Sequence, residues 1–552
     1  MGIYRLRTDF ATHLRVILWV ILVIFLVGSL YMFGARPRSM QNGNAKDVIL
    51  TVGGDEVHRN VFDSEWQTMY QMASANGIKS PLQYANIKGM IVSQLINSQK
   101  DIQIAEEKGI RISKKELKAA IDEKVVEDLK VNRTAIMGEI SKAQEKLDPR
   151  KDKDYLRTLT DNGMSIDSLV QSSKESISEL TVKSELSRNA LIAQAQQKAE
   201  DMTDKELMDT YKVYNADVLI VSDTDSTESK AMESAKKAAA DIKAGKSVKE
   251  VSEAVAGSFD LTDIGYNKID SPYIPAEVGS LLEGLKPGGV TEPVKTEMGV
   301  YVAKLNKIED KAPKKLTDKQ KKERREAYKN ILGQQAEQDI RTQEDKIDDF
   351  TVTDPVLAGY YYAFKAYTEY KPEEQKALYV LAETNLQDAS KNSDLGDRDM
   401  ILAQLANVKY QLEKYDECSK LLKQILDDPD SQITESYDLR LLYGDALVKL
   451  GKKEEAGKQY LQASELNRSD AYVHQELAGK FKEVGMADKA AEETKKAADI
   501  RAFEEKRMKE YEDLQKAAPK KDAKDKKDSK DKKEPKEKAG SKDKKDAKDK
   551  KD

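Results

Sequence analysis

The sequence predicts a multidomain, mainly α-helical protein. Three observations lead to this prediction: residues 16–35 are uncharged and mostly apolar, residues 215–307 mix short apolar runs with helical patterns, and a 34-residue spacing recurs between residues 443 and 497. A chain of 552 residues is long enough for about three or four domains. We therefore expect separate modules in series rather than one core.

Composition argues against several kinds of site. Charged residues make up 35% of the chain but nearly cancel, at a formal net charge of −5, so the charge balance does not indicate nucleic-acid binding. The single cysteine, Cys418, allows no intramolecular disulfide and no cysteine cluster, and its position predicts a core residue. The three histidines, His13, His58 and His474, fall in three different predicted modules. We expect neither a metal centre nor a serine–histidine–aspartate triad, and no cofactor.

The apolar run at residues 16–35 predicts a transmembrane anchor. Its 20 residues can cross a hydrocarbon core of about 30 Å. A cleaved signal peptide is the alternative, but the run exceeds the usual apolar region of about 7–15 residues and no clear cleavage site follows it. We therefore predict a cytoplasmic segment at residues 1–15 and an uncleaved anchor at 16–35, although the arginines on its two sides indicate the orientation only slightly.

Residues 211–310 predict a small α+β domain. A β-branched run at residues 216–221 has strand length, an Ala/Lys-rich helix covers 231–242, and Ser247 with Glu250 forms a capping box that opens a second helix. A third helix begins near Pro275, and a closing strand covers residues 299–305. The third helix places four residues on one predicted apolar face: Val278, Leu281, Leu282 and Leu285.

This order resembles the parvulin-type (PpiC) prolyl isomerase domain. The sequence IPAEV at residues 274–278 precedes LKPGGV at 285–290 and PVKTEMGVY at 293–301, which together resemble the family block LKPGEV…PVxTxxGYH. The family's Gly-Gly-Asp-Leu-Gly signature survives only as Asp-Ile-Gly at residues 263–265. The resemblance implies the parvulin fold.

The resemblance also implies which residues would act. Parvulins use two histidines, and their positions fall on Asp217 and Tyr301, while no histidine lies between His58 and His474. An Asp/Tyr pair can in principle form a hydrogen bond, but a carboxylate does not reproduce a neutral imidazole pair. We therefore expect absent or very weak catalysis, with an active isomerase as the alternative. The degenerate catalytic positions are Asp217, Thr296 and Tyr301, and the implied substrate-binding positions are Ile274, Val278 and Met298.

Residues 47–210 resemble the SurA/PrsA/PpiD family of extracytoplasmic chaperones. A strand at residues 48–52, a Gly-Gly turn and Phe62 are similar to the family's VNGxxIxxxxF opening. Residues 105–116, with a capping box at Ser113 and Glu116, are similar to its AxxxGIxVSxxEL motif. The resemblance implies a helical chaperone domain that binds unfolded or secreted polypeptides outside the bacterial cytoplasmic membrane. A plain helical bundle is the alternative that the helical pattern leaves open.

The 34-residue spacing predicts tetratricopeptide repeats over residues 351–510. Less regular units are expected around Ala406–Leu422 and Tyr360–Tyr362, and such arrays bind a protein partner. The charge-dense segment 311–350 predicts a helical linker, and the Lys/Asp-rich residues 518–552 predict a disordered tail. The predicted packing positions of the repeats are Gly444, Ala456, Tyr460, Ala478, Phe481 and Ala490.

These observations together predict a membrane-anchored folding factor. Two alternatives stay open at this point: an active peptidyl-prolyl isomerase, and a repeat scaffold for an envelope assembly in which the first half of the chain is inert.

Overall fold

The computed structural model describes residues 47–138, 140–222, 228–269, 273–296, 298–392, 395–466 and 470–517. The predicted cytoplasmic segment (1–15), the anchor (16–35) and the charged tail (518–552) lie outside these residues. Within the described ranges, no helix combines the length and the apolar character that a membrane crossing requires. The chain forms two compact units, divided between Thr434 and Glu435.

The first unit begins with a β-hairpin and a set of helices. The predicted capping box at Ser113 is confirmed: its backbone N–H donates to Glu116 Oε2 (2.8 Å), and the Glu116 N–H donates to Ser113 Oγ (3.2 Å). The elements are β1 (Val48–Val52), β2 (Asp55–His58), α1 (Arg59–Ala75), α2 (Pro81–Glu107), α3 (Lys114–Met137), α4 (Lys142–Lys146), α5 (Lys153–Asp161), α6 (Ile166–Ser176), α7 (Glu179–Glu200) and α8 (Asp204–Asp209).

An α+β domain follows α8. Its antiparallel sheet has the strand order β4-β3-β6-β5. The capping box at Ser247 and Glu250 is confirmed. Leu281, on the predicted apolar face of the third helix, is 42% exposed because only part of that face is buried in the core. The elements are β3 (Lys212–Val221), α9 (Glu228–Lys243), α10 (Val248–Ala254), β4 (Ser258–Tyr266), α11 (Ala276–Glu283), β5 (Val294–Thr296) and β6 (Gly299–Asp310).

The segment predicted as a linker, residues 311–350, is helical but does not act as a spacer. Helix α12 (Asp318–Glu344) packs along α7 and α2, and Gly333 lets it approach Gln196 closely. Strand β7 (Phe350–Val352) then pairs antiparallel with β1. The linker interpretation is therefore corrected: the chain returns to the helical domain, and the α+β domain is an insertion within it.

The next four helices also belong to the first unit. They are α13 (Pro355–Thr368), α14 (Pro372–Asn392), α15 (Leu395–Gln411) and α16 (Tyr415–Leu426). Tyr360 and Tyr361 share a buried cluster with Ile91 of α2, and a Cβ at Gly89 would lie 2.3 Å from the Tyr360 carbonyl oxygen. The predicted repeat region of residues 351–510 is thus divided between two units, because its first part completes the core of the helical domain. Cys418 is buried, which raises the pKa of its thiol to about 12.

The second unit consists of α17 (Tyr437–Lys449), α18 (Lys453–Leu466), α19 (Ala471–Glu483) and α20 (Ala487–Ala517). The aromatic rings of Tyr460 and Phe481 pack edge to face with centroids 6.1 Å apart. Gly444 lies directly against Tyr460, and a Cβ there would come within 2.2 Å of the ring. Ala456, Ala478 and Ala490 are buried as well. The predicted packing positions are therefore buried, while the tetratricopeptide assignment itself stays a prediction.

We expect Gly444→Ala to destabilise the second unit. Its new methyl group would overlap the Tyr460 ring, and overpacking of this kind costs about 1–3 kcal/mol. Gly479→Ala is the matched control: Gly479 is an exposed residue of α19 with nothing within 4 Å of a Cβ, so alanine should stabilise the helix by up to about 1 kcal/mol. Hydrogen–deuterium exchange in α17 and α18 measures both effects. Equal protection in the two variants would contradict the close contact.

Candidate functional site

Three of the implied site residues in the α+β domain are core residues. Ile274, Val278 and Tyr301 are 2%, 0% and 1% exposed, and they share one buried cluster on the face of the sheet that α11 covers. On β3, Val218 and Ile220 belong to the same cluster. Val278 therefore does not form the wall of an open pocket, because its side chain is enclosed by the core.

Asp217 lies on the other face of this sheet. Side chains alternate along a strand, so Asp217 shares the orientation of Leu219, which packs against α9 and α10. Its Oδ1 accepts a hydrogen bond from the N–H of Asp263 (2.8 Å), a residue in the left-handed region at φ +51°. Asp217 and Tyr301 therefore lie on opposite faces of the sheet. The carboxylate instead stabilises an unusual turn of β4.

Thr296 and Met298 shape the turn between β5 and β6. Thr296 Oγ1 donates to the Gly299 carbonyl oxygen (3.1 Å) and accepts from the Met298 N–H (3.2 Å). Met298 is 71% exposed, and its Sδ accepts a contact from the Tyr301 hydroxyl at 3.9 Å. Thr296 thus uses its hydroxyl proton and one of its two lone pairs within this turn.

The chemistry available on the α11 face of the sheet is limited. Burial raises the pKa of the Tyr301 phenol, so this hydroxyl stays protonated at neutral pH. Val218 and Ile220, the β3 residues on the Tyr301 side, cannot exchange protons. This face therefore holds a mainly apolar core in which Tyr301 and Tyr266 are buried and Tyr214 is partly buried, and no histidine lies among them. No group of three histidine, cysteine or acidic side chains suited to a metal ion occurs among the residues that the structure describes.

A second feature of interest is a group of aromatic rings on α1 and α2, which the sequence analysis missed. Trp66, Tyr70 and Tyr84 lie within 5.3–5.9 Å of one another by ring centroid, and Tyr70 is 41% exposed. The Tyr84 hydroxyl donates to the Ile78 carbonyl oxygen (2.6 Å), which fixes its ring. The helical spacing of Trp66 and Tyr70, four residues apart on α1, was a signal available in the sequence. We call Trp66, Tyr70 and Tyr84 the aromatic patch.

Two family models match the chain. The model described as a SurA-like N-terminal domain matches residues 7–183, and the model described as a PPIC-type PPIase domain matches residues 203–321. The chain carries a SurA-like N-terminal domain followed by a PPIC-type domain. The aromatic patch belongs to the first of these, and the sheet with Asp217 and Tyr301 belongs to the second.

Foldase protein PrsA 2 from Listeria innocua is 29% identical over 197 residues, which are 35% of this chain and 63% of that protein. The match thus spans less than two thirds of this relative. Among solved structures, the alignment with MamA (MSR-1 C2) covers 31% of this chain and 92% of the MamA chain, at 20% identity and with a TM-score of 0.23. The alignment with PrsA from Bacillus anthracis covers 41% of this chain and 94% of the PrsA chain, at 20% identity and with a TM-score of 0.19. Scores this low do not establish a common fold over the aligned lengths.

A partly buried charge cluster joins the SurA-like domain to the helix that follows the PPIC-type domain. Arg188 on α7 donates through Nη1 to Asp101 Oδ1 (2.9 Å) on α2 and to Glu344 Oε1 (2.6 Å) on α12. Its Nη2 donates to Glu337 Oε2 (2.6 Å), also on α12. A single guanidinium therefore holds three carboxyl groups from two other helices, beside a cavity of about 580 Å³.

Asp101 is the member of this cluster whose protonation is perturbed. Burial, together with the hydrogen bond to Glu344, raises the pKa of Asp101 to about 7 against the opposing effect of Arg188. Three carboxyl groups and one guanidinium would carry a net charge of −2 if fully ionised, so retention of a proton by the Asp101–Glu344 pair relieves the repulsion. The Ser184 hydroxyl donates to the second Asp101 oxygen (3.0 Å).

We expect Asp101→Asn to remove a pH dependence of stability. The folded state keeps the proton of Asp101 up to a pH of about 7, whereas an unfolded aspartate releases it near pH 3.9. Between these values the folded state binds more protons, so its free energy of unfolding falls as the pH rises, by up to about 1.4 kcal/mol per pH unit. Asparagine stays uncharged, so the variant should lack this slope.

Urea unfolding between pH 5 and 7, followed through the fluorescence of Trp66 in a Trp19→Phe background, measures the slope. Asp122→Asn serves as the control, because hydrogen bonds from Arg150 lower the pKa of Asp122 and place its titration below this range. An unchanged slope in Asp101→Asn would show that Asp101 does not hold the proton.

Proposed function

We propose that this protein is a folding factor of the bacterial cell envelope that binds unfolded or secreted polypeptides and needs no cofactor. The carrying observation is the combination of a SurA-like domain with a PPIC-type domain whose sheet face is filled by core residues. The Listeria relative that shares part of this region is described as a foldase. A sheet face filled by core residues lacks the polar groups that catalysis of peptide-bond rotation would need. We therefore assign the protein polypeptide binding instead of isomerisation.

The aromatic patch is the client surface in this proposal. The exposed part of the Tyr70 ring offers apolar area at low entropic cost, because an aromatic side chain has only two rotatable bonds and its neighbours Trp66 and Tyr84 already restrain it. Lys88 Nζ lies 4.9 Å from the Trp66 ring centroid, a cation–π contact, and Trp66 itself belongs to the hydrophobic core. An unfolded segment with apolar side chains fits this surface without a deep pocket.

In this proposal the PPIC-type domain is a degenerate isomerase that positions clients. Rotation about a peptide bond has a barrier of about 18–20 kcal/mol, which a catalyst lowers by stabilising the twisted amide with a suitable polar group. The acid–base groups of the family are absent from the Tyr301 face, and Asp217 lies behind the sheet. The domain keeps its fold because its core positions are apolar, not because its chemistry is retained.

The remaining modules complete the proposal. Residues 16–35 would anchor the protein in the cytoplasmic membrane as a single pass, with the bulk of the chain outside the cytoplasm. The second unit would dock a protein partner through tetratricopeptide-like helix pairs, the role that stacked repeats commonly serve. An assembly scaffold that ignores unfolded clients is the competing function.

We expect the purified chain to leave the cis–trans relaxation rate of a proline-containing tetrapeptide unchanged. The physical reason is the apolar environment of Tyr301, which offers no proton donor and acceptor pair to the amide. The variants Tyr301→Phe and Thr296→Ala should then behave like the wild type in this assay. Acceleration that either variant abolishes would establish the active isomerase instead.

We expect Tyr70→Ser to weaken suppression of client aggregation by about two- to tenfold. Aromatic contacts of this kind contribute about 0.5–1.5 kcal/mol, and Tyr70 is exposed enough to be replaced without loss of core packing. The matched control is Tyr273→Ser, which removes a 62% exposed tyrosine from the PPIC-type domain. A stronger effect of Tyr273→Ser would move the client site to that domain, and no suppression by the wild type would favour the scaffold.

A further inference from the structure

A groove follows one side of helix α2 in the first unit. It is the cavity of about 580 Å³ beside the Arg188 cluster, and residues of α7, α12 and α13 line it together with α2. We call this cavity the α2 groove. The α2 residues that line it follow the spacing i, i+3, i+4, i+7, i+8, i+11 of one helical side. They are Met90, Ser93, Gln94, Asn97, Ser98 and Asp101.

Four of these α2 residues have uncharged polar side chains with open hydrogen-bonding capacity. Within the described part of the chain, the side chains of Ser93, Gln94, Asn97 and Ser98 make no hydrogen bond to another residue. Ser98 is only 5% exposed, and its hydroxyl oxygen is not enclosed by protein atoms, so it opens to the groove. Buried polar groups normally have a hydrogen-bond partner. The α2 groove therefore suits a ligand that supplies such partners.

The charged groups of the α2 groove do not require a charged ligand. Asp101 and Glu344 both accept hydrogen bonds from Arg188, at 2.9 and 2.6 Å. Arg341 and Asp345, which also line the groove, are exposed to solvent and carry opposite charges. The open hydrogen-bonding groups are thus the uncharged ones on α2. A ligand that contacts them needs neutral donors and acceptors.

The spacing of these side chains matches the repeat of an extended peptide. Ser93 and Asn97, like Gln94 and Ser98, are four residues apart, which is a rise of about 6 Å along a helix. Peptide groups on the same side of an extended chain recur every two residues, at about 6.6–6.8 Å. Hydroxyl and amide side chains both donate and accept, as the peptide backbone does. An extended segment along α2 would therefore meet a polar side chain at each successive peptide group on one side.

We propose that the α2 groove binds an extended backbone segment of an unfolded polypeptide, with Ser93, Gln94, Asn97 and Ser98 hydrogen-bonded to its peptide groups. This inference rests on the proposed function and adds a second contact region to it. The α2 groove shares no residue with the aromatic patch. Contacts to the backbone are independent of the sequence of the client, whereas the aromatic patch favours apolar side chains.

The first experiment places a photo-cross-linker in the α2 groove. Asn97→Cys introduces an exposed thiol, whereas Cys418 is buried and its pKa is raised to about 12, so benzophenone maleimide labels position 97 selectively. The labelled full-length chain, in a non-ionic detergent, should cross-link to reduced and carboxymethylated α-lactalbumin, a permanently unfolded protein. Val131→Cys is the control, because Val131 is a 71% exposed residue of another helix, α3. Equal cross-linking from the two positions would overturn the proposal.

The second experiment measures the affinity for the same unfolded protein, labelled with fluorescein, by fluorescence anisotropy. Gln94→Ala/Asn97→Ala should weaken binding by about fivefold or more, since each lost hydrogen bond lowers an affinity by about two- to tenfold. Gln194→Ala/Gln197→Ala is the matched control, because it removes two exposed amides with the same spacing from α7 and should leave the affinity unchanged. Both variants should keep the wild-type Tm.

The outcomes separate this inference from the proposed function. If the wild type binds the unfolded protein and Gln94→Ala/Asn97→Ala binds it equally well, the α2 groove is not a client site and the proposed function stands. If the wild type does not bind, both are overturned. A carbohydrate is the other neutral ligand with suitable donors and acceptors. Calorimetric binding of chitohexaose that Gln94→Ala/Asn97→Ala abolishes would assign the α2 groove to a carbohydrate and overturn the proposal.

Discussion

The pairing of β7 with β1 is the constraint on which the first unit depends. Strand β1 is buried between β2 and β7, with Leu50 opposite Val352, about 300 residues away in the chain. A buried strand needs hydrogen-bonding partners for its backbone, so the chain must come back after the PPIC-type domain. Helix α12 provides this return, and Arg188 holds it through Glu337 and Glu344. The SurA-like domain is therefore complete only when residues beyond 350 are in place.

This return path also determines how the PPIC-type domain is attached. The chain enters it after Met202 and Leu207 and leaves it before Leu316, and these three residues pack in one small cluster with Tyr328 of α12 alongside. The two connections thus support each other instead of forming separate flexible linkers. A domain connected through two packed segments is restrained at both of its ends.

The period of two in a β-strand decides what the PPIC-type sheet can do. A shift of one residue along β3 moves a side chain from the Tyr301 face to the α9 and α10 face. Val218 lies on the Tyr301 face of the sheet. Asp217, the residue before it, lies on the opposite face and accepts a hydrogen bond from the backbone of Asp263. Sequence similarity aligned Asp217 with a catalytic position, but the pleat of the sheet assigns it a structural role.

Local patterns in the sequence determined most of the secondary structure. The capping boxes at Ser113 and Ser247, the buried strand 216–221 and the small residue Gly444 follow from interactions within a few residues or from helical periodicity, so they were predictable. The tertiary structure alone decided which distant segments meet. The return of α12, the inclusion of Tyr360 in the core with Ile91, and the cluster around Arg188 depend on contacts across more than 80 residues. No local pattern encodes such contacts, because their free energy appears only when the whole core closes.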